Sequence, residues 1–361
     1  MLGRMTPRLS LQTELAERTL ELVRISSLTG NEGAIADRVQ GMLEAVPSLR
    51  VRRKGHCVLG DLGQGHPHLI LAGHLDTVPD QGGPSPAQQG DEIVGLGSSD
   101  MKSGLAVMLV LAQSNAPRSV RLSLIFYDGE EGPISGNGLG PLLDSEPDLA
   151  KADLALLLEP TNNLIELGCQ GTMHARVSIR GVAAHSARPW MGRNAIHLAL
   201  PLLTRVAGLP LREVRMGEAV YREVLNVTLI EGGRSRNVLP DRATLNLNFR
   251  FAPDRTIENA EAYVRALCPE TAEVEIVDAA LAAPPRLDAL LVQQFVTHVG
   301  GEIRGKQGWT DVAQFAARGV PAINFGPGLP ELAHRKDERV PMGNVLKSYE
   351  VLESFLEQMG R

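Results

Sequence analysis

Apolar and polar positions change period along the chain, and the changes divide it into segments. Leu11–Ile25 and Gly33–Val46 carry apolar residues at helical spacing. Short, mostly apolar runs follow at Leu69–Gly73, Leu122–Tyr127 and Leu154–Leu158, with a helical stretch, Met101–Ala112, between the first two. Runs without a polar alternate belong to strands covered on both faces, so this order predicts a doubly wound α/β sheet. Val78–Gly90, rich in Pro, Gly and Gln, reads as a surface loop.

From about Met173 the rhythm is one of alternation. Met173–Arg180 reads as a strand, Arg193–Val206 as a helix, and Val224–Ile230 and Ala243–Phe251 as two further strands. Thr256–Leu267 reads as a helix and Val274–Val277 as a last strand. The order βαββαβ is that of a ferredoxin-like α+β unit. It predicts an inserted domain over 173–284, ending at Ala283–Pro284–Pro285, within a discontinuous domain formed by 1–172 and 285–361. Ala289–Val299, Val312–Arg318 and Ala322–Phe325 return to helix and strand and complete the first domain, whose sheet is expected to be mixed.

Composition narrows the function classes. Of 361 residues 43% are hydrophobic and 22% charged, and a net charge of -6 without a basic run disfavours nucleic acid. No apolar run is long enough for a membrane span, and Met1–Pro7 lacks the apolar core of a secretory signal. Cys57, Cys169 and Cys268 are odd in number and widely spaced, which points to reduced thiols in a cytoplasmic protein. No CxxC occurs, so any metal would be held by nitrogen and oxygen.

Five segments carry candidate chemistry. The run Leu69–Gly73 leads into His74-Leu-Asp76, whose first and third side chains share one face of an extended chain. His74 can then ligate a metal while Asp76 accepts its other ring N–H. Asp100, opening a helix, is either an N-cap or a carboxylate bridging two metals. Glu130 and Glu131 are adjacent in non-helical chain, so one can bind metal while the other faces the reacting water; a solvated acidic turn has the same spelling. Glu159 ends a buried strand, where a carboxylate is costly without a cation. His334 lies in a polar loop and by itself reads as a surface histidine. Together the five candidate ligands, His74, Asp100, one of Glu130 and Glu131, Glu159 and His334, give each of two metals one imidazole and one terminal carboxylate, with Asp100 shared. Such a donor set suits Zn2+, with Co2+ or Mn2+ as alternatives.

These motifs, with Ser98-Ser-Asp100-Met-Lys-Ser-Gly104 and Gly129-Glu-Glu-Gly132, resemble those of the M20 family of metallopeptidases and amino-acid deacylases over nearly the whole chain. The resemblance implies that His74 and Glu159 share one zinc with Asp100, and Glu131 and His334 the other. It gives Glu130 the role of general base and Asp76 that of orienting His74, and it implies a cis peptide after Asp100. It makes the inserted domain a lid and dimerisation domain of a homodimer, with His185 crossing to the partner's site to stabilise the oxyanion. Gly168-Cys-Gln-Gly-Thr172, Ala184-His-Ser-Ala-Arg188, Arg250-Phe-Ala-Pro-Asp-Arg255, Gly308-Trp-Thr-Asp311 and Ala333-His-Arg-Lys-Asp-Glu-Arg-Val340 resemble the actinobacterial branch that removes succinate from N-succinyl-L,L-diaminopimelate.

The expected reaction is amide hydrolysis of a small N-acyl amino acid. Arg250, Asn237, Thr310 and the Gly326–Gly328 turn are the expected binders of its carboxylates; an ion-paired strand residue is the other reading of Arg250. Acetylornithine or N-acetyl-lysine deacetylases, and dipeptidases or carboxypeptidases, share the scaffold. Glu159 leans against an aminopeptidase, whose counterpart tends to be Asp. A non-catalytic binding protein would be expected to lack a ligand or the base, and neither is missing. Two departures concern substrate: Arg236 stands where some desuccinylases have asparagine, and Cys169–Gln170 where other branches place arginines.

Overall fold

The computed structural model describes residues 7–114 and 120–360. Met1–Thr6, most of the stretch read above for a signal, lies outside them. The chain forms two compact units: one of residues up to Leu167 with Pro285–Arg304 and Gln314 onward, the other of Gly168–Pro284 with Gly305–Ala313. Gly168–Thr172 belong to the second unit because the strand Gly171–Arg180 begins there.

In the first unit an eight-stranded mixed sheet has four parallel strands at its centre: Arg121–Tyr127, His68–His74, Leu154–Leu157 and Ala322–Asn324. All seven residues of His68–His74 are buried, as the unbroken apolar run requires. The helix Ser103–Gln113 is buried from Ser103 to Ala112 and packs against Pro7–Val23, Gly33–Glu44 and Met342–Met359. An apolar helix without a polar face can only sit inside a layer of others.

The second unit is a five-stranded antiparallel sheet. Gly171–Arg180 lies between Arg242–Phe251 and Glu273–Ala280, with Ala219–Gly232 beyond Arg242–Phe251, which is the ferredoxin-like order. Alternate burial along Arg242–Phe251 turns Ala243, Leu245, Leu247, Phe249 and Phe251 into the core. Helices Ala195–Ala207 and Ile257–Leu267 cover that face. Asn194 caps the first by accepting the N–H of Ile196 at 2.9 Å, and Thr256 caps the second by accepting that of Asn259 at 3.2 Å.

Several elements lie outside the predicted ones, and three of them shape the two units. The hairpin Arg50–Lys54 and Cys57–Leu62 extends the first sheet antiparallel. Arg212–Met216 adds a fifth strand to the second sheet, and its alternating charged residues and half-buried pattern hide it from a search for apolar runs. Met342–Met359 is a helix with Met342, Val345, Leu346, Tyr349, Leu352, Phe355 and Leu356 buried, at clear helical spacing. Among the described residues no helix is long and apolar enough to cross a membrane.

All three cysteines are buried and unbridged. Burial and a hydrogen bond to Asp128 push the Cys57 thiol up, and burial pushes Cys169 up to about 12. Neither is a thiolate near neutral pH, so native protein treated with iodoacetamide at about pH 8 should stay unmodified while denatured protein takes up three adducts. Rapid labelling of the native chain, read by intact mass, would contradict that burial.

Candidate metal centre

Parallel strands that enter a sheet together also leave it together, and their carboxyl ends deliver the candidate residues to one edge. His74 ends His68–His74; Glu130 and Glu131 follow Arg121–Tyr127; Glu159 follows Leu154–Leu157; the Gly326–Gly328 turn follows Ala322–Asn324. Asp100 arrives from the turn that opens the buried helix, and the Asp100–Met101 peptide is cis. His334 comes from a loop, with a left-handed φ of 62°.

Asp100 stands between the two imidazoles. Its Oδ1 lies 3.1 Å from Nε2 of His74 and its Oδ2 3.3 Å from Nε2 of His334. Nε2 of His334 is also 2.8 Å from Oε1 of Glu131. Donor atoms of His74, Asp100 and Glu159 fall within 4.8 Å of one another, and so do those of Asp100, Glu131 and His334. The two groups share Asp100 and nothing else. His74, Glu130 and Glu131 also meet the same limit, so distance alone does not separate Glu130 from the ligands.

Asp76, fully buried, accepts the N–H of Glu130 and of Glu131, each at 3.0 Å, and the hydroxyl of Thr29 at 2.9 Å. The nearest partner of His74 Nδ1 is the main-chain oxygen of Asp76 at 3.0 Å, with the Asp76 carboxylate at 3.5 Å. One residue therefore orients the histidine mainly through its backbone, while its side chain holds the turn of both glutamates.

The electrostatics are those of a site built around positive charge. Burial alone would lower the pKa of His74, yet hydrogen bonds to Asp100 and Asp76 hold it well above the ordinary value. Asp100 and Glu131 raise His334 to about 10. Burial works against ionised Asp100, but bonds to His334 and His74 hold its carboxyl well below the usual range. Burial raises Glu131 in spite of His334. Both imidazoles are thus drawn toward the charged form, which compensates the carboxylates beside them. Divalent cations would supply the same compensation with the same nitrogen and oxygen donors, so the residues fit a metal pair.

Two glycines let backbones close around this centre. A Cβ on Gly328 would lie 2.1 Å from the Ser99 carbonyl oxygen, and one on Gly104 2.6 Å from that of Leu158. Leu329 N–H then reaches Ser99 Oγ at 2.9 Å.

The remaining candidates lie in the second unit, apart from Gly328. Exposed His185 pairs with Val238 across two short extended segments, and the Ser186 N–H reaches the Asn237 carbonyl at 2.9 Å, so His185 and Asn237 are neighbours. Arg250 stands on the strand Arg242–Phe251 opposite Thr172 and Val224, and Thr310 is buried at 3% exposure. Two residues absent from the candidate list belong to the metal-centre neighbourhood. Buried Lys102 donates to the Ile25 carbonyl at 2.7 Å, and buried Glu338 accepts three N–H groups of the Asp100 turn. Burial lowers Lys102 to about 8 and raises Glu338 to about 7. The only sequence signal for Glu338 is an acid four residues after His334.

The fold and this edge of the sheet are those of a hydrolase, and the chain belongs to peptidase family M20/M25/M40, whose model matches residues 70–358. That family implies divalent metal binding, for which the chain holds candidate ligand groups. A Mycobacterium tuberculosis protein provisionally named succinyl-diaminopimelate desuccinylase DapE is 42% identical over 351 residues, covering 96% of this chain and 99% of its own. The succinyl-diaminopimelate desuccinylase of Corynebacterium glutamicum is 40% identical, covering 99% of this chain and all of its own. Among solved structures, an M20 family metallo-carboxypeptidase from Sulfolobus solfataricus has the same fold, with a TM-score of 0.79 at 17% identity, covering 95% of this chain and 98% of its own.

Proposed function

We propose that this chain is a two-zinc amidohydrolase that converts N-succinyl-L,L-diaminopimelate to succinate and L,L-diaminopimelate in the cytoplasm. The observation that carries the metal reading is Asp100, with one oxygen toward each imidazole and a separate glutamate completing each group. The names of the relatives at 40–42% identity support the substrate.

His74 and Glu159 would hold one ion, Glu131 and His334 the other, and Asp100 both. When bound, the pair supplies Lewis-acid polarisation of the scissile carbonyl and acidifies the attacking water. Glu130 takes a proton from that water and returns it to the leaving amine. Asp76 fixes where that carboxylate stands, because it anchors the Glu130 main chain. His185 supplies an oxyanion donor to the partner's site in a homodimer. An open strand edge supports the dimer: Arg212–Met216 pairs only with Ala219–Glu223, and among the described residues no strand covers the outer edge of Val224–Gly232, where Leu229 and Ile230 are exposed.

Arg250, Asn237, Thr310 and the Gly328 turn would receive the substrate's carboxylates. Cys169 and Gln170 would not, since a main-chain carbonyl already engages each side chain. The Cys169 thiol donates to the Thr310 carbonyl at 3.4 Å and the Gln170 amide to that of Arg222 at 2.6 Å. The deciding assay is a panel of N-acyl amino acids and dipeptides, with zinc and after its removal. Zinc-dependent turnover of N-succinyl-L,L-diaminopimelate should exceed that of acetylornithine, N-acetyl-lysine and dipeptides. A better acetylated or dipeptide substrate would overturn the assignment.

A further inference from the structure

Glu338 is 1% exposed and lies four residues beyond His334. Its Oε1 accepts the N–H of Ser99 at 2.8 Å and of Asp100 at 2.9 Å, and its Oε2 accepts that of Gly97 at 3.0 Å. Its own carbonyl accepts the N–H of Gly95 at 3.0 Å. Two further ties run alongside: Ser99 Oγ donates to the Arg339 carbonyl at 2.8 Å, and Arg339–Pro341 pairs antiparallel with Glu92–Val94. The turn that carries Asp100 contains left-handed Gly97 and non-helical angles at Asp100 and Met101, so regular helix bonding does not satisfy these N–H groups. Without the carboxylate they would be buried donors lacking acceptors, and the turn would move to find others.

We infer that Glu338 is a positioning residue for the metal pair: it fixes the bridging carboxylate of Asp100 to the chain segment that supplies His334. This rests on the metal-centre reading of the preceding section. Metal–ligand distances tolerate errors of only about 0.2 Å, so a small rotation of the Asp100 turn would misplace a ligand to both ions at once. Both carboxylate oxygens of Glu338 are taken up by these N–H groups. Its contribution lies in the affinity of the site and in its completeness.

The test is zinc titration against a competing chelator, with thermal melting recorded in parallel, on the wild-type chain, Glu338→Gln and Glu338→Ala. Glutamine keeps the shape but turns one acceptor into a donor that faces an N–H. It should fold but melt somewhat below wild type without zinc, bind the pair about 10- to 100-fold more weakly, and lose part of the zinc-induced rise in Tm. Alanine, losing all three acceptors, should be weaker still. Should either fail to fold, Glu338→Asp, which keeps the charge but withdraws it by one methylene, should fold and also bind zinc more weakly. Wild-type zinc affinity and an undiminished Tm rise in any folded Glu338 variant would overturn the inference. A wild-type chain that binds no zinc pair would instead sink the metal-centre reading itself, so the two failures are distinguishable.

Discussion

Glu130→Ala is expected to fold, take up two zinc ions and lose turnover by about 10²- to 10⁴-fold, the usual weight of a general acid–base group. Two observations make the zinc content as informative as the rate. Glu130 is close enough to His74 and Glu131 to be a ligand by distance, yet the two groups that share Asp100 are complete without it. A ligand role predicts one ion fewer in the variant, and a base role predicts an unchanged pair. Near wild-type kcat, or loss of an ion, would dismiss the assignment. The same variant tests the partner contribution. If His185 serves the partner's site as proposed, Glu130→Ala and His185→Ala should each be inactive alone, but a dimer of one with the other would hold one site with an intact base and an intact oxyanion donor. Random mixing after dissociation should restore about a quarter of wild-type activity. No recovery would place His185 in the site of its own chain, and an active His185→Ala would place it outside the chemistry.

Asp100→Ala removes the one group common to both metal positions. The variant should bind at most one zinc ion in chelator competition, whereas loss of Glu159 or Glu131 takes ligands from one position only. Its second readout is His334. In the metal-free wild type the Asp100 and Glu131 carboxylates raise that imidazole to about 10 from 6.5. A pKa raised on folding contributes stability in full below the unfolded value, and the contribution fades as pH rises toward about 10. Without Asp100, the first of the two causes, the His334 pKa falls, and the pH window of that stabilisation narrows from above. An NMR titration of the histidine ring signals measures this directly. Two zinc ions bound as in wild type, with His334 unmoved, would refute the bridging role.

Legibility in the sequence followed the strength of local pattern. Doubly covered strands such as His68–His74 and alternating ones such as Arg242–Phe251 announce themselves, because burial on two faces or one imposes a period. Arg212–Met216 did not: an edge strand of charged residues buries too little to leave a period. The hairpin Arg50–Leu62 begins with Arg-Val-Arg-Arg-Lys and is hidden for the same reason. In the site, His74 and Asp76 could be paired by their spacing, but the division of labour could not. The carboxylate of Asp76 serves the glutamate turn, while its carbonyl serves His74.

What the sequence determined by itself is the order of the elements with a strong apolar period, and with these the peptidase family and the residues able to bind metal. Those properties follow from hydrophobic period and from side-chain chemistry, both of which are local. Which residues meet was decided by the tertiary structure alone. His74 and His334 are separated by most of the chain, yet both reach Asp100, because parallel strands end at one edge and a loop folds back over it. Glu338 is the clearest case. As a letter it is one more acid in a polar loop, and only its burial against three N–H groups of the Asp100 turn sets it apart. A backbone N–H has the same identity in every residue, so sequence does not record which carboxylate it will find.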